Sequence, residues 1–193
     1  MLDIPADADL SRFPKRIVLV GLMGAGKTSV GKLLARRLGK TFIDCDHEIE
    51  RATGVKVATI FEIEGEEGFR IRESRMLEDA LKQDNIVLAT GGGAVLSKSN
   101  RALLAENGVV VYLRASAKLL LRRTRHDRNR PLLQVPDPHA KLEALLAERD
   151  PLYSEVADVI VDTGNQSLGA LASLIADRIS QVNPSGDNMS STE

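Results

Sequence analysis

The sequence predicts a three-layer α/β/α sandwich on a five-stranded parallel sheet, and three observations carry that prediction. Short β-branched runs alternate with longer stretches of helical periodicity, the pattern of strands joined by helical crossovers. The first such run, Ile17 to Val20 (IVLV), is apolar throughout, as a strand buried on both faces must be. The chain's 193 residues, 43% of them hydrophobic and 27% charged, give one ordinary domain with a real core.

The elements follow in order. The first strand stops at Gly21. From Lys27 to Leu38, Val30, Leu33, Leu34 and Leu38 form a helical stripe, and Gly39 suits the position just past the helix end. Thr41 to Asp44 (TFID) reads as the second strand. A helix starts at Asp46, and a longer one runs from about Glu66 to Lys82, with Glu66 and Glu67 where the helix dipole favours anions. Ile86 to Ala89 is the third strand. Ser97 caps a helix ending near Gly108, Val109 to Leu113 is the fourth strand, and Ser116 caps the next helix. Between His126 and Pro138, Pro131, Pro136 and Pro138 predict a loop long enough to point to function. Helix resumes through Arg149 and is stopped by Pro151. Val159 to Val161 is the last strand, and Leu168, Leu171, Leu174, Ile175 and Ile179 line one face of a C-terminal helix.

Residues 1–14 read as a loose arm, 15–182 as a single domain and 183–193 (NPSGDNMSSTE) as a disordered tail. The start has neither the basic nor the apolar run of a targeting peptide, and no stretch approaches the roughly 18 apolar residues of a membrane span. Twenty-six basic and 27 acidic residues leave a net charge of −1, which gives no global field to hold nucleic acid or an anionic membrane. Aromatics at 3% argue against stacking platforms for single strands. One cysteine, Cys45, excludes an internal disulfide framework, and with three histidines it argues against a Cys/His zinc site. A cytoplasmic protein fits this profile.

Gly21-Leu22-Met23-Gly24-Ala25-Gly26-Lys27-Thr28 matches G-x-x-x-x-G-K-S/T between a strand and a helix, the context a phosphate-binding P-loop requires. Consecutive N–H groups of Gly24, Ala25, Gly26, Lys27, Thr28 and Ser29 would face the phosphates of ATP. Lys27 would reach the β/γ-phosphates and Thr28 would hold Mg²⁺. A dinucleotide site is the rival, with Asp44 as its ribose acid, but the glycine spacing is wrong and Lys27-Thr28 would be unexplained.

Asp44 and Asp46 flank Cys45 at the carboxyl end of the second strand. If the chain is extended there, both face the phosphate site, one completing the Mg²⁺ shell and the other orienting an acceptor hydroxyl. The competing reading makes them helix caps, Asp46 being well placed as the N-cap. Cys45 then points to the opposite face as buried filler. Gly91, Gly92 and Gly93 follow the third strand at the same sheet edge, either for close approach of a ligand or as a flexible connection. Arg122, Arg123, Arg125, Arg128 and Arg130 surround the proline-containing loop with Asp127 as the only acid among them. They read as a solvated basic face or, explaining more, as a lid at about 122–138 over the triphosphate. Arg70 lies at helical spacing from Glu66, Glu67 and Glu73, so an ion pair is its plain role, and Arg149 is placed as a helix-end cation.

Taken together, GLMGAGKTSVGKLLA, FIDCDHEIE, GEEGFRIRE, ATGGGAV, RNRPLL and ERDPLY resemble the shikimate kinases, over about Lys15 to Ile179. The resemblance implies a nucleoside-monophosphate-kinase-like P-loop fold with a lid. The activity implied is transfer of the γ-phosphoryl of MgATP to the 3-hydroxyl of shikimate, in the chorismate route to aromatic amino acids, by a monomer. It places Asp46 on the substrate hydroxyls, with a possible role as base, and Asp44 near Mg²⁺. Arg70 and Arg149 fall where the family clamps the substrate carboxylate, for which arginine's planar fork is suited. Gly92 falls on a substrate contact, Arg130 on an ATP contact from the lid, and Gln166 on a nucleotide contact. Leu168 stands where some members carry a proline near adenine, and His126 and His139 have no role in the pattern. Two other readings stand beside this one. One is a related small-molecule or nucleoside-monophosphate kinase, such as a gluconate kinase. The other is a regulator that only binds nucleotide, against which Lys27, Asp44, Asp46 and Arg130 together argue.

Overall fold

The computed structural model describes residues 12–125 and 131–182. Its strands are β1 (Arg16–Val20), β2 (Thr41–Asp44), β3 (Ile86–Ala89), β4 (Val109–Arg114) and β5 (Val159–Asp162). They form one parallel sheet in the order β2-β3-β1-β4-β5. Ile17, Val18, Leu19 and Val20 of the central strand are fully buried, which explains their unbroken apolar run. The helices are α1 (Lys27–Arg37), α2 (Cys45–Thr53), α3 (Val57–Ala80), α4 (Lys98–Asn107), α5 (Ala117–Thr124), α6 (Pro138–Val156) and α7 (Leu168–Ile179). Helix α1 packs beside α7, and α6 beside α4 and α5, while α2 and α3 pair with each other near β2.

From β1 the chain runs past β3 to β2, and from β3 it crosses β1 to reach β4. The strand order therefore reverses around β1, and the carboxyl edge at such a reversal is where α/β sheets hold ligands. The phosphate loop and the glycine loop both leave the sheet at that edge. A small second core of Ile49, Ile60 and Phe69, flanked by Val57, Phe61 and Met76, lies under α2 and α3.

Several expectations are corrected. Helix α2 begins at Cys45, one residue earlier than predicted, and its N-cap is Asp44, whose side chain accepts from the His47 N–H. Asp46 is therefore in the first helical turn, and the extended geometry assumed for the pair ends at Asp44. Helix α3 is broken at Gly65 (φ 71, ψ −177), so the helix predicted from Glu66 is its second segment, 66–80, and the segment 57–64 before it was not predicted. Helix α6 does not stop at Pro151 but continues to Val156. Burial of Tyr153 and Val156 in the main core overrides a penalty of about 3 kcal/mol for an interior proline. Arg149 is consequently an interior, buried helical residue and not a helix-end cation. On α7, Leu171, Ile175 and Ile179 are buried as expected, whereas Leu168 and Leu174 are exposed.

Of the predicted lid, Arg122 to Thr124 form the end of α5, Pro131–Leu133 is a short 3-10 turn, and Pro138 opens α6 with Asp137 as its cap. The expectations for the terminal arm through Ser11, for His126, Asp127, Arg128 and Arg130, and for the tail at 183–193 fall outside the described residues.

Candidate active site

Helix α1 starts at Lys27 with Gly26 in the cap position and no side chain accepting from its first N–H groups. The positive end of that helix is thus open to an anion at the phosphate loop. Gly24 and Gly26 hold φ angles of 81° and 103°, which let the loop curl. Lys27 Nζ donates to the loop carbonyls of Gly21 at 2.6 Å and Leu22 at 3.1 Å. Thr28 Oγ1 donates to Asp44 Oδ2 at 2.7 Å, so the hydroxyl and carboxylate picked out from the sequence meet directly. Asp44 serves both readings at once, capping α2 and touching Thr28.

A cleft of about 620 Å³ opens beside this pair, lined by Thr28, Asp44, Asp46, Arg70, Gly91, Gly92, Gly93 and Arg149 among others. Residues from Thr28 to Arg149 share one wall because each follows the carboxyl end of a strand or lies on a helix packed over it. Arg70 donates to Glu66 Oε1 at 2.8 Å and to Glu73 Oε2 at 2.7 Å. Glu73 has no solvent exposure, and its burial raises its pKa against the pull of Arg70. The glycine loop is packed tightly on these groups. A Cβ on Gly91 would collide with Glu73 Oε1 and one on Gly93 with the Arg70 guanidinium, whereas one on Gly92 would meet nothing closer than 3.5 Å. Arg149, 4% exposed, donates from Nη1 to the Gly92 carbonyl at 3.2 Å. Its Nε is buried with no hydrogen-bond partner among the described residues and lies 3.8 Å from Glu148. Cys45 is fully buried, and burial pushes its thiol well up, as inert filler requires.

Arg123 lies beside the phosphate loop, donating from Nη1 to Gly24 O at 3.4 Å and Ala25 O at 3.3 Å and from Nη2 to Gly164 O at 2.9 Å. Gln166 braces the turn after β5, accepting from Gly164 N at 2.7 Å and donating to Asp162 O at 2.9 Å. Neither residue lines the cleft. Arg122 instead donates to Asn165 at 2.8 Å.

The family model described as "Shikimate kinase" matches residues 23–180, which takes in the phosphate loop from Met23, the acidic pair, the glycine loop and Arg149. The chain belongs to the shikimate kinase family. A shikimate kinase from Chromobacterium violaceum is 61% identical over 161 residues, 83% of this chain and 88% of that one. A solved shikimate kinase from Acinetobacter baumannii in complex with shikimate is 51% identical with a TM-score of 0.84, covering 86% of this chain and 92% of that one. A gluconokinase from Sinorhizobium meliloti, at 24% identity and a TM-score of 0.56 over 87% of this chain and 97% of that one, shares the fold alone.

The cleft holds more than the sequence alone showed. Glu73 was expected only as an ion-pair partner, yet among the three glutamates near Arg70 it is the fully buried one. Phe61 and Phe69, with ring centroids 4.7 Å apart, also line the cleft. Their signal was available, since two of only four phenylalanines fall within nine residues of each other next to Arg70. Tyr153, whose hydroxyl donates to the Gly92 carbonyl, closes the ERDPLY stretch, but it follows a proline expected to end the helix, so its contact with the glycine loop was missed.

Proposed function

We propose that this chain transfers the γ-phosphoryl of ATP to the 3-hydroxyl of shikimate. Family membership gives the reaction class, and a relative solved with shikimate bound supports the acceptor. The single observation that carries the reading to this chain is the composition of one cleft. It joins Asp46 and the Thr28–Asp44 pair to Arg70 and Arg149, and so suits an acceptor with hydroxyls and a carboxylate.

In this reading the N–H groups from Gly24 to Ser29 hold the phosphates, and Lys27 leaves its loop carbonyls for the β/γ-phosphates. Thr28 and Asp44 offer hard oxygen donors at hydrogen-bond distance, a set that fits Mg²⁺ bound through one or two protein oxygens and substrate phosphates. Bound there, Mg²⁺ supplies charge neutralisation on the phosphates. Asp46 orients the acceptor hydroxyl and receives its proton as the oxygen–phosphorus bond forms and ADP departs. Arg70 and Arg149 grip the acceptor carboxylate, and Gly91, Gly92 and Gly93 let it lie against backbone. Arg123 and Gln166 serve the nucleotide, and Arg130 reaches ATP from a lid at about 122–138. The same reading includes a cytoplasmic monomer. No helix among the described residues is long and apolar enough to cross a membrane.

The test is ADP release by the purified protein with MgATP and, in turn, shikimate, gluconate and nucleoside monophosphates. Turnover with shikimate is expected. Silence there with turnover on another acceptor removes the substrate assignment, and silence throughout favours a nucleotide-binding regulator.

A further inference from the structure

The segment from Gly91 to Leu96 offers the cleft no polar side chain, so its contribution is set by the direction of its peptide groups. Each carbonyl in it has a donor. Gly91 O accepts from Ala94 N at 3.2 Å and Gly93 O from Leu96 N at 3.0 Å. Ala94 O accepts from Asn100 Nδ2 at 3.1 Å, and Val95 O and Leu96 O from Arg101 Nη1 at 2.8 and 3.3 Å. Gly92 O is reached from α6, by Arg149 Nη1 and by the Tyr153 hydroxyl.

Arg149 and Tyr153 are four residues apart and so share a helical face. Tyr153 is fully buried, and burial raises its pKa, so the phenol stays a donor. Its ring stacks on Tyr112 with centroids 4.9 Å apart, which fixes where the hydroxyl points. A carbonyl oxygen has two lone pairs, and a buried one left short of donors is costly. With the phenol filling one, Arg149 is not the sole donor holding this carbonyl, and its buried Nε faces no competing hydrogen bond among the described residues.

We propose that Tyr153 is a positioning residue for the acceptor site, pinning the Gly92 carbonyl toward α6. In a planar trans peptide the C=O and the next N–H point in opposite directions. Pinning Gly92 O therefore turns the Gly93 N–H away from α6, as a fixed donor for the acceptor, and Arg149 is held in register with it. The proposal rests on the acceptor reading above.

Tyr153→Phe deletes one oxygen and keeps the stacked ring. Tyr112→Phe is the control: it deletes the hydroxyl of the other ring in the same stack, which donates to Asp150 at 2.6 Å, away from the glycine loop. Tyr153→Phe is expected to raise the KM for shikimate by roughly 3- to 10-fold, the size of one lost hydrogen bond. Its kcat and its KM for ATP should stay within about twofold of wild type, as should all constants of Tyr112→Phe. A readout free of substrate is the Gly92 carbonyl-carbon and Gly93 amide-nitrogen NMR shifts, which should move in Tyr153→Phe and hold in Tyr112→Phe. In an active enzyme, an unchanged shikimate KM in Tyr153→Phe, or equal losses in both variants, overturns the proposal. If wild type ignores shikimate, the acceptor reading fails and the NMR shifts alone decide the positioning role.

Discussion

Replacing Gly93 by alanine is expected to disable the acceptor site through Arg70, although the arginine itself is not substituted and the backbone conformation admits alanine. Gly93 has φ −106° and ψ 1°, a region open to any L-residue, so the alanine brings little backbone strain. What stands in the way of its Cβ is the Arg70 guanidinium, which meets it at Cζ and at both terminal nitrogens. The guanidinium is the far end of a flexible chain, so it yields, and in yielding it leaves Glu73 Oε2 and the cleft. A charge-assisted hydrogen bond contributes about 1.5–3 kcal/mol. Losing one such bond to the acceptor carboxylate lowers kcat/KM for shikimate by roughly 10- to 150-fold. The assay is ADP release with shikimate titrated at saturating ATP, where the KM for ATP should hold within about twofold. A double-mutant cycle identifies the route: with Arg70→Ala already present, Gly93→Ala should cost almost nothing further. A kcat/KM near wild type in Gly93→Ala, or losses that simply add, would refute the argument.

Asp46→Asn keeps the shape of the site and removes a carboxylate able to take a proton. Its kcat should fall by roughly 100-fold or more, the scale of general base catalysis, while the KM for ATP survives; near-normal turnover would remove Asp46 from the reaction. Glu73→Gln should change how stability depends on pH. The folded-state pKa of Glu73 is raised above its ordinary 4.5, so between those values the native state binds more protons than the unfolded chain. Stability contributed by this group is therefore full below the ordinary value and is lost as pH rises through the raised one. Urea midpoints measured across that window should shift in the variant's favour relative to wild type as pH increases, and parallel curves would show that Glu73 is not the group responsible.

The parts of this molecule that could be read from sequence are those whose physics is local. The phosphate loop declared itself because a strand, three glycines, a lysine, a threonine and a helix are contiguous. The strands did so because burial on both faces leaves an uninterrupted apolar run. Asp44 and Asp46 were found as a pair but assigned the wrong local geometry, since either acid can cap a helix and the choice depends on where β2 releases the chain. Pro151 misled for the opposite reason: its local preference is strong, and only the burial of Tyr153 and Val156 after it reveals why the helix continues. That one misjudged boundary put Arg149 at a helix end and hid the contact of Tyr153 with the glycine loop. Glu73 closes the GEEGFRIRE stretch and lies four residues from both Phe69 and Leu77, a spacing that already separates it from Glu66 and Glu67, and the packing of Gly91 against it shows it as the interior member.

The division of the interior into two cores has a consequence for how such a kinase changes over generations. Ile49, Ile60 and Phe69 cohere under the α2–α3 pair, bordered by the Gly65 break, and Met76 packs against both this cluster and the main one. The sheet and phosphate loop pack on the larger cluster, while α2 and α3, which carry Asp46 and Arg70, pack on the smaller one, joined to the phosphate loop through the Asp44 cap and its bond to Thr28. Substitutions in the smaller cluster can reshape the pocket around Phe61 and Phe69 while the donor chemistry stays intact. A new acceptor can therefore be acquired without rebuilding the engine that phosphorylates it.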